Sequence, residues 1–207
     1  STVKLITSAA FVETMGSRFR YKTTVNAGKK PKRGSVDDNI YIIGSGDPTL
    51  TETSLIRLVK QLKKRGIKQI KGDLVYDESL YKRDPLLPSY KTQYYYAPTS
   101  ALNINYNVMT LEINDKKTTS TLELKNKPNY IKINNKASIK LTDNYYGYPK
   151  INYYHKKQQD IITIKGSVTF KDYENKGLTL CIPNPAYYLA TRFYELCRDH
   201  NITIKRD

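Results

Sequence analysis

The chain has 207 residues, enough for one large domain or two small ones with a real core. Its 35 Lys+Arg against 19 Asp+Glu give a formal net charge of +16, which favours polyanions as partners: nucleic acid, anionic envelope polymers or lipid surfaces. Two cysteines exclude a disulfide framework, two isolated histidines exclude the common zinc motifs, and no apolar run is long enough to span a bilayer.

Ser1-Thr2-Val3-Lys4 opens the chain. A serine and a lysine three positions apart share one helical face, the spacing at which a lysine amine helps activate a serine for acyl transfer. The stretch from Leu5 to Met15 is too apolar for a surface helix and predicts a buried one, capped by Gly16. A nucleophile at its N-terminus would feel the positive end of the helix dipole.

Arg18 to Val25 alternates like a strand, and Asn26 to Asp38 is a basic turn. Asn39 to Ile43 predicts a buried strand running into Gly44-Ser45-Gly46-Asp47-Pro48, a glycine-rich loop. This loop is no phosphate cradle, because Asp47 would repel an anion and Pro48 lacks an N–H. Thr49 and Glu52 predict a capping box for a helix with Leu55, Ile56, Leu58, Val59 and Leu62 on its apolar side and Gly66 beyond its end. A strand over residues 67–76 follows, then a long loop over 78–99 rich in Tyr and Pro.

Alternating runs at 108–113, 121–124, 130–133 and 161–168 predict a β-rich module. A strand at 178–182, a helix over 185–199 and a short strand at 202–204 close the chain. The helix carries Tyr188, Leu189, Phe193, Leu196 and Cys197 as apolar positions, and Cys181 and Cys197 read as two buried thiols, with a single disulfide between them as the alternative. The 19 tyrosines lie among basic residues, yet no nucleic-acid module appears; the basic surface reads as a solvated one, and an anionic envelope partner suits it better than nucleic acid.

Several of these segments, in order, resemble one family. They are Ser1–Ala10 with Gly16 and Phe19–Val25; Ile40–Leu50; Gly66–Ser79; and Ala97–Leu102 with Asn105, Asn107 and Val108. Together they resemble the class C low-molecular-mass penicillin-binding proteins, the serine D-Ala-D-Ala carboxypeptidase/endopeptidases of peptidase family S13. The likeness is close over residues 1–115 and one of pattern beyond.

The resemblance implies an α+β chain: the first helix of a penicillin-recognising, transpeptidase-like domain plus inserted accessory domains. Residues 1–26 and 178–207 would belong to the catalytic domain, 27–39 and 107–177 to a β-rich domain, and 40–106 to a nested strand-helix-strand subdomain. It makes Ser1 the acylated nucleophile and Lys4 its proton acceptor, with no cofactor or metal. The partners implied are peptidoglycan stem peptides and, for the full-length enzyme, β-lactams. An anionic wall polymer or membrane surface would suit the accessory domains. The location implied is bacterial and extracytoplasmic, secreted or envelope-associated.

Two further family motifs, Ser-x-Asn and Lys-Thr-Gly, do not occur in the sequence. The chain therefore reads as an N-terminal fragment, inactive alone; a non-catalytic wall-binding module is the alternative. The resemblance also implies that an acidic and an aromatic residue in the 81–96 region hold the free amine of the stem peptide's diamino acid; Asp84, near Tyr81, Tyr90 and Tyr94 in sequence, is the candidate, with Asp77 or Glu78 as alternatives.

Overall fold

The computed structural model describes residues 2–80, 96–116, 119–124, 127–141, 149–170 and 177–205. Three helices and four small three-stranded sheets make up the described fold, a mixed α+β architecture.

Helix α1 spans Thr2–Met15. The sequence predicts a buried helix; instead none of its residues is buried, and Leu5 is 74% exposed. The apolar residues run around the whole cylinder, so no single stripe selects one neighbour. Edge-on ring contacts link Phe11 to Phe19 and Phe19 to Tyr21 just beyond the helix.

Strand β1 (Thr24–Ala27) is shorter than the predicted 18–25 run and pairs antiparallel with β3 (Ile40–Ile43). Strand β2 (Ser35–Val36) lies between them in sequence. Helix α2 (Glu52–Lys64) starts from Thr51, which makes no side-chain cap bond. The predicted capping box fails because Thr49 is used elsewhere: its N–H and hydroxyl both donate to Asp47 Oδ1, at 2.9 and 2.8 Å. The other end follows expectation. Gly66 sits at φ +79° and donates to the Lys63 carbonyl, while Ile67 N–H reaches that of Leu62, the Schellman arrangement that needs a left-handed residue.

The strand predicted over 67–76 is two strands in different sheets, β4 (Gln69–Ile70) and β5 (Leu74–Asp77). Between them Asn39 Oδ1 accepts the Asp73 N–H at 2.8 Å. Strand β5 runs parallel to β3, and β4 runs parallel to β2.

Residues 108–181 supply two further sheets. Strand β6 (Val108–Lys116) lies between β7 (Thr119–Leu124) and β11 (Gly177–Cys181), antiparallel to both. The other sheet has β10 (Gln159–Phe170) at its centre, parallel to β8 (Ile131–Leu141) and antiparallel to β9 (Lys150–Lys156).

Helix α3 spans Pro185–Asp199, as the sequence predicts. Its start is set by Pro185 in the first turn and by Asn184, whose side chain accepts the Tyr187 N–H. Its end repeats the Schellman pattern with Asn201 at φ +60°. Strand β12 (Thr203–Ile204) then runs parallel to β4.

The sequence reading groups residues 178–207 with 1–26. Within the described residues α3 packs against α2 and β5, and β12 extends the β4 ladder. Strand β1 pairs with β3. One continuous core contains Leu55 and Val59 of α2, Leu189 and Phe193 of α3, and Ile162 and Ile164 of β10. Burying each such side chain contributes roughly 1.5–3 kcal/mol.

Cys181 and Cys197 are both buried thiols, not joined in a disulfide. Burial pushes the Cys197 thiol up to about 12 and that of Cys181 in the same direction. Native protein at mildly alkaline pH should therefore resist an aromatic disulfide reagent, and both thiols should react once denaturant is added. Rapid titration of either thiol in native protein would contradict this placement.

Candidate active site

The sequence places its chemistry at the N-terminus of α1. Lys4 lies in the first turn and is exposed; Ser1 lies outside the described residues. The first turn of a helix leaves backbone N–H groups without intrahelical partners, and its dipole favours developing negative charge. A serine alkoxide or acyl oxyanion formed here would be stabilised in sign by the helix and matched by the Lys4 amine.

Asp84 also lies outside the described residues, while its two alternatives are engaged in holding the fold. Asp77 Oδ1 accepts the Ser79 N–H at 2.9 Å, and hydrogen bonds from the Ser79 side chain and backbone hold its carboxyl below the usual range. Glu78 Oε2 accepts the Ser100 hydroxyl at 2.9 Å.

That serine belongs to a buried polar knot which fixes the Ala97–Leu102 motif. Asn103 Oδ1 accepts the Ser100 N–H at 3.1 Å, and Asn107 Nδ2 donates to the Pro98 carbonyl at 2.7 Å and to Asn103 Oδ1 at 2.6 Å. Asn107 Oδ1 accepts the Ile104 N–H at 3.0 Å. Asn105, Tyr106 and Asn107 all have positive φ, between 49° and 57°. Asparagine tolerates this region because its side chain bonds locally, but Tyr106 has no such relief.

The glycine loop docks against the knot. A Cβ on Gly44 would sit 2.2 Å from the Ala101 carbonyl oxygen, so only glycine fits, and Gly46 N–H donates to that same oxygen at 2.8 Å. Ser45 Oγ accepts the Lys22 N–H at 2.8 Å. The loop is thus a structural turn, as its Asp-Pro pair predicts. A groove of about 650 Å³ beside it is lined by Pro48, Pro98, Tyr106 and Thr179 among others.

Sequence reasoning misses one cluster. Arg192 of α3 reaches Glu52 of α2 through Nη2 and Glu195 through Nη1, and Glu195 Oε1 also accepts the Asn129 N–H at 2.7 Å. Arg192 and Glu195 are both buried. Burial disfavours the guanidinium charge, but the two carboxylates outweigh it and raise its pKa. An arginine held this way keeps its proton and cannot serve as a base, so its part is to clamp α2 to α3. Its signal in the sequence is only a charged pair three apart among apolar neighbours.

Among the described residues no group of His, Cys, Asp and Glu could hold a metal ion, and no helix is long and apolar enough to cross a membrane.

The sequence profile of the D-Ala-D-Ala carboxypeptidase 3 (S13) family matches residues 1–207. D-alanyl-D-alanine carboxypeptidase DacB of Haemophilus influenzae is 32% identical over 121 residues, 56% of this chain and 25% of that protein. A D-alanyl-D-alanine carboxypeptidase of Actinomadura sp. (strain R39) is 33% identical over 109 residues, 50% of this chain and 20% of that protein. The crystal structure of H. influenzae penicillin binding protein 4 (dacB) superposes with a TM-score of 0.76 at 24% identity, covering 100% of this chain and 46% of that one. A second structure of that protein, complexed with a novel β-lactam, gives 0.68 at 26% identity, covering 99% and 43%. The matched region thus spans a quarter or less of the curated relatives, and less than half of the solved chains.

Proposed function

Because the chain belongs to the D-Ala-D-Ala carboxypeptidase 3 (S13) family, we propose that it carries the nucleophile of a serine DD-peptidase. The observation that carries this reading is the sequence Ser1-Thr2-Val3-Lys4, whose residues Thr2 to Lys4 open α1. Ser1 Oγ attacks the carbonyl of the penultimate D-alanine of a peptidoglycan stem peptide, and its proton passes to Lys4 Nζ. The peptide C–N bond breaks, and the terminal D-alanine leaves with a proton on its nitrogen. Water then hydrolyses the ester on Ser1. The same steps on a peptide cross-bridge give endopeptidase activity. A β-lactam acylates Ser1 by opening its ring, and the leaving nitrogen stays tethered. The substrate lies outside the cytoplasmic membrane, so the full-length protein works in the envelope or after secretion.

The chain alone has no Ser-x-Asn or Lys-Thr-Gly motif to complete such a site. The oxyanion donor expected on the strand of the latter is worth about 3–4 kcal/mol in the transition state, so the 207-residue chain should turn over no substrate. Fluorescent penicillin tests both statements. Full-length protein should become labelled, its Ser1→Ala variant should not, and the isolated chain should stay dark. Labelling of the Ser1→Ala variant would sink the assignment of the nucleophile; stoichiometric labelling of the isolated chain would sink its inactivity.

A further inference from the structure

The sheet formed by β8, β10 and β9 has one face in the core and one in solvent. Ile133, Ile162 and Tyr153 share an inward row, and the period of two sends their neighbours outward. In the outward set Lys165 is the partner of Lys136 on one side and of Lys150 on the other. Adjacent strands lie about 4.8 Å apart, so three lysines stand side by side within about 10 Å. All three are exposed, and none forms an ion pair with an acid among the described residues.

Like charges directly opposite on neighbouring strands destabilise a sheet, and a bound anion removes that cost. The adjoining rows show what else the ligand offers. On one side lie Asn134, Thr163 and Asn152; on the other, the hydroxyls of Ser138 and Ser167 are 3.2 Å apart. Asn134 and Ser138 are exposed, Asn152 and Ser167 half-buried and Thr163 buried, and amides and hydroxyls beside cations suit a chain that carries its own hydroxyls. A bilayer would call for exposed apolar side chains, and single-stranded nucleic acid for several stacking rings. Among the described residues the face supplies one exposed ring, Tyr154.

We propose that the outer face of this sheet, centred on the row Lys136–Lys165–Lys150, binds a hydroxylated polyanion, a polysaccharide or polyol chain bearing phosphate or carboxylate groups. The binding is independent of the chemistry at Ser1. It gives part of the +16 charge a local purpose.

The test compares two charge-matched variants of the full-length protein. One carries Lys136→Gln, Lys150→Gln and Lys165→Gln; the control carries Lys60→Gln, Lys63→Gln and Lys64→Gln on α2. Binding to poly(glycerol phosphate) and to polygalacturonate is measured against salt, with neutral dextran, phosphatidylglycerol-containing vesicles and an oligothymidylate alongside. The face variant should bind one or both polyanions at least about tenfold more weakly, with a shallower salt slope, while the control stays near wild type. The two polymers separate phosphate from carboxylate recognition. The polymer should also raise the Tm of wild type and not that of the face variant. The single variant Lys165→Gln gives the same readout with a smaller perturbation, should the triple variant melt early. Equal weakening in the control, no binding of either polymer, or tighter binding of vesicles or oligothymidylate through the same lysines would overturn the proposal.

Discussion

Lys4→Ala in the full-length protein is expected to slow β-lactam acylation by roughly 10²–10⁴-fold, the usual contribution of a positioned proton acceptor. Folding should be untouched, because Lys4 is exposed on a helix with no buried residue. Lys4→Arg separates the possible reasons for the loss. Arginine keeps the positive charge but cannot surrender a proton, so it should fail nearly as badly as alanine if the amine acts as base. If arginine restored the wild-type rate, Lys4 would be acting as a fixed charge alone. Circular dichroism and Tm on the same samples guard against a folding artefact.

The largest effect on stability is expected from Arg192→Ala. Removing the guanidinium leaves Glu52 and Glu195 facing each other in an interior where Arg192 and Glu195 are 8% and 10% exposed at the side chain. Breaking a buried pair by taking away one partner costs about 3–5 kcal/mol, chiefly because the remaining charge is stranded. Replacing all three residues with apolar side chains of similar volume should recover most of that loss. Chemical denaturation of the single and triple variants checks both statements. A loss under about 1 kcal/mol for the single variant would mean that the cluster behaves like a solvent-exposed pair.

Much of the local structure was legible because its signals are short-range. Asn184-Pro185 and Asn201 bracket α3, and Gly66 closes α2, each through backbone geometry that one or two residues dictate. The Ser1–Lys4 spacing is a pattern of the sequence alone, and of the two residues only Lys4 falls within the described structure. What escaped depends on distant partners. Strand β9 carries only Ile151 and Tyr153 as inward residues, too few to show a period until β10 lies beside it. Strands β2, β4 and β12 have two residues each, so nothing in their own letters announces the ladder. The burial of Arg192 follows from Glu52, 140 positions away. The exposure of α1 shows the converse: an apolar run predicts a need for burial and does not say where the covering surface comes from.

The pairing of β12 with β4 sets the order in which the chain becomes structured. Thr203 lies beside Gln69, and Thr203 N–H donates to the Lys68 carbonyl at 3.0 Å. During synthesis, the first half of this ladder must wait until more than a hundred further residues have emerged. Meanwhile α2 lacks α3 and presents Leu55 and Val59 to solvent, a state open to aggregation. The intervening β-rich segment can assemble first, since β6, β7, β8 and β10 pair largely within it. Once folded it holds its own ends near each other and shortens the effective loop that β12 must close. Because closure entropy rises only logarithmically with loop length, insertions into that excursion would slow the final docking little. Trimming the chain before Thr203 would instead leave one side of β4 as an open edge.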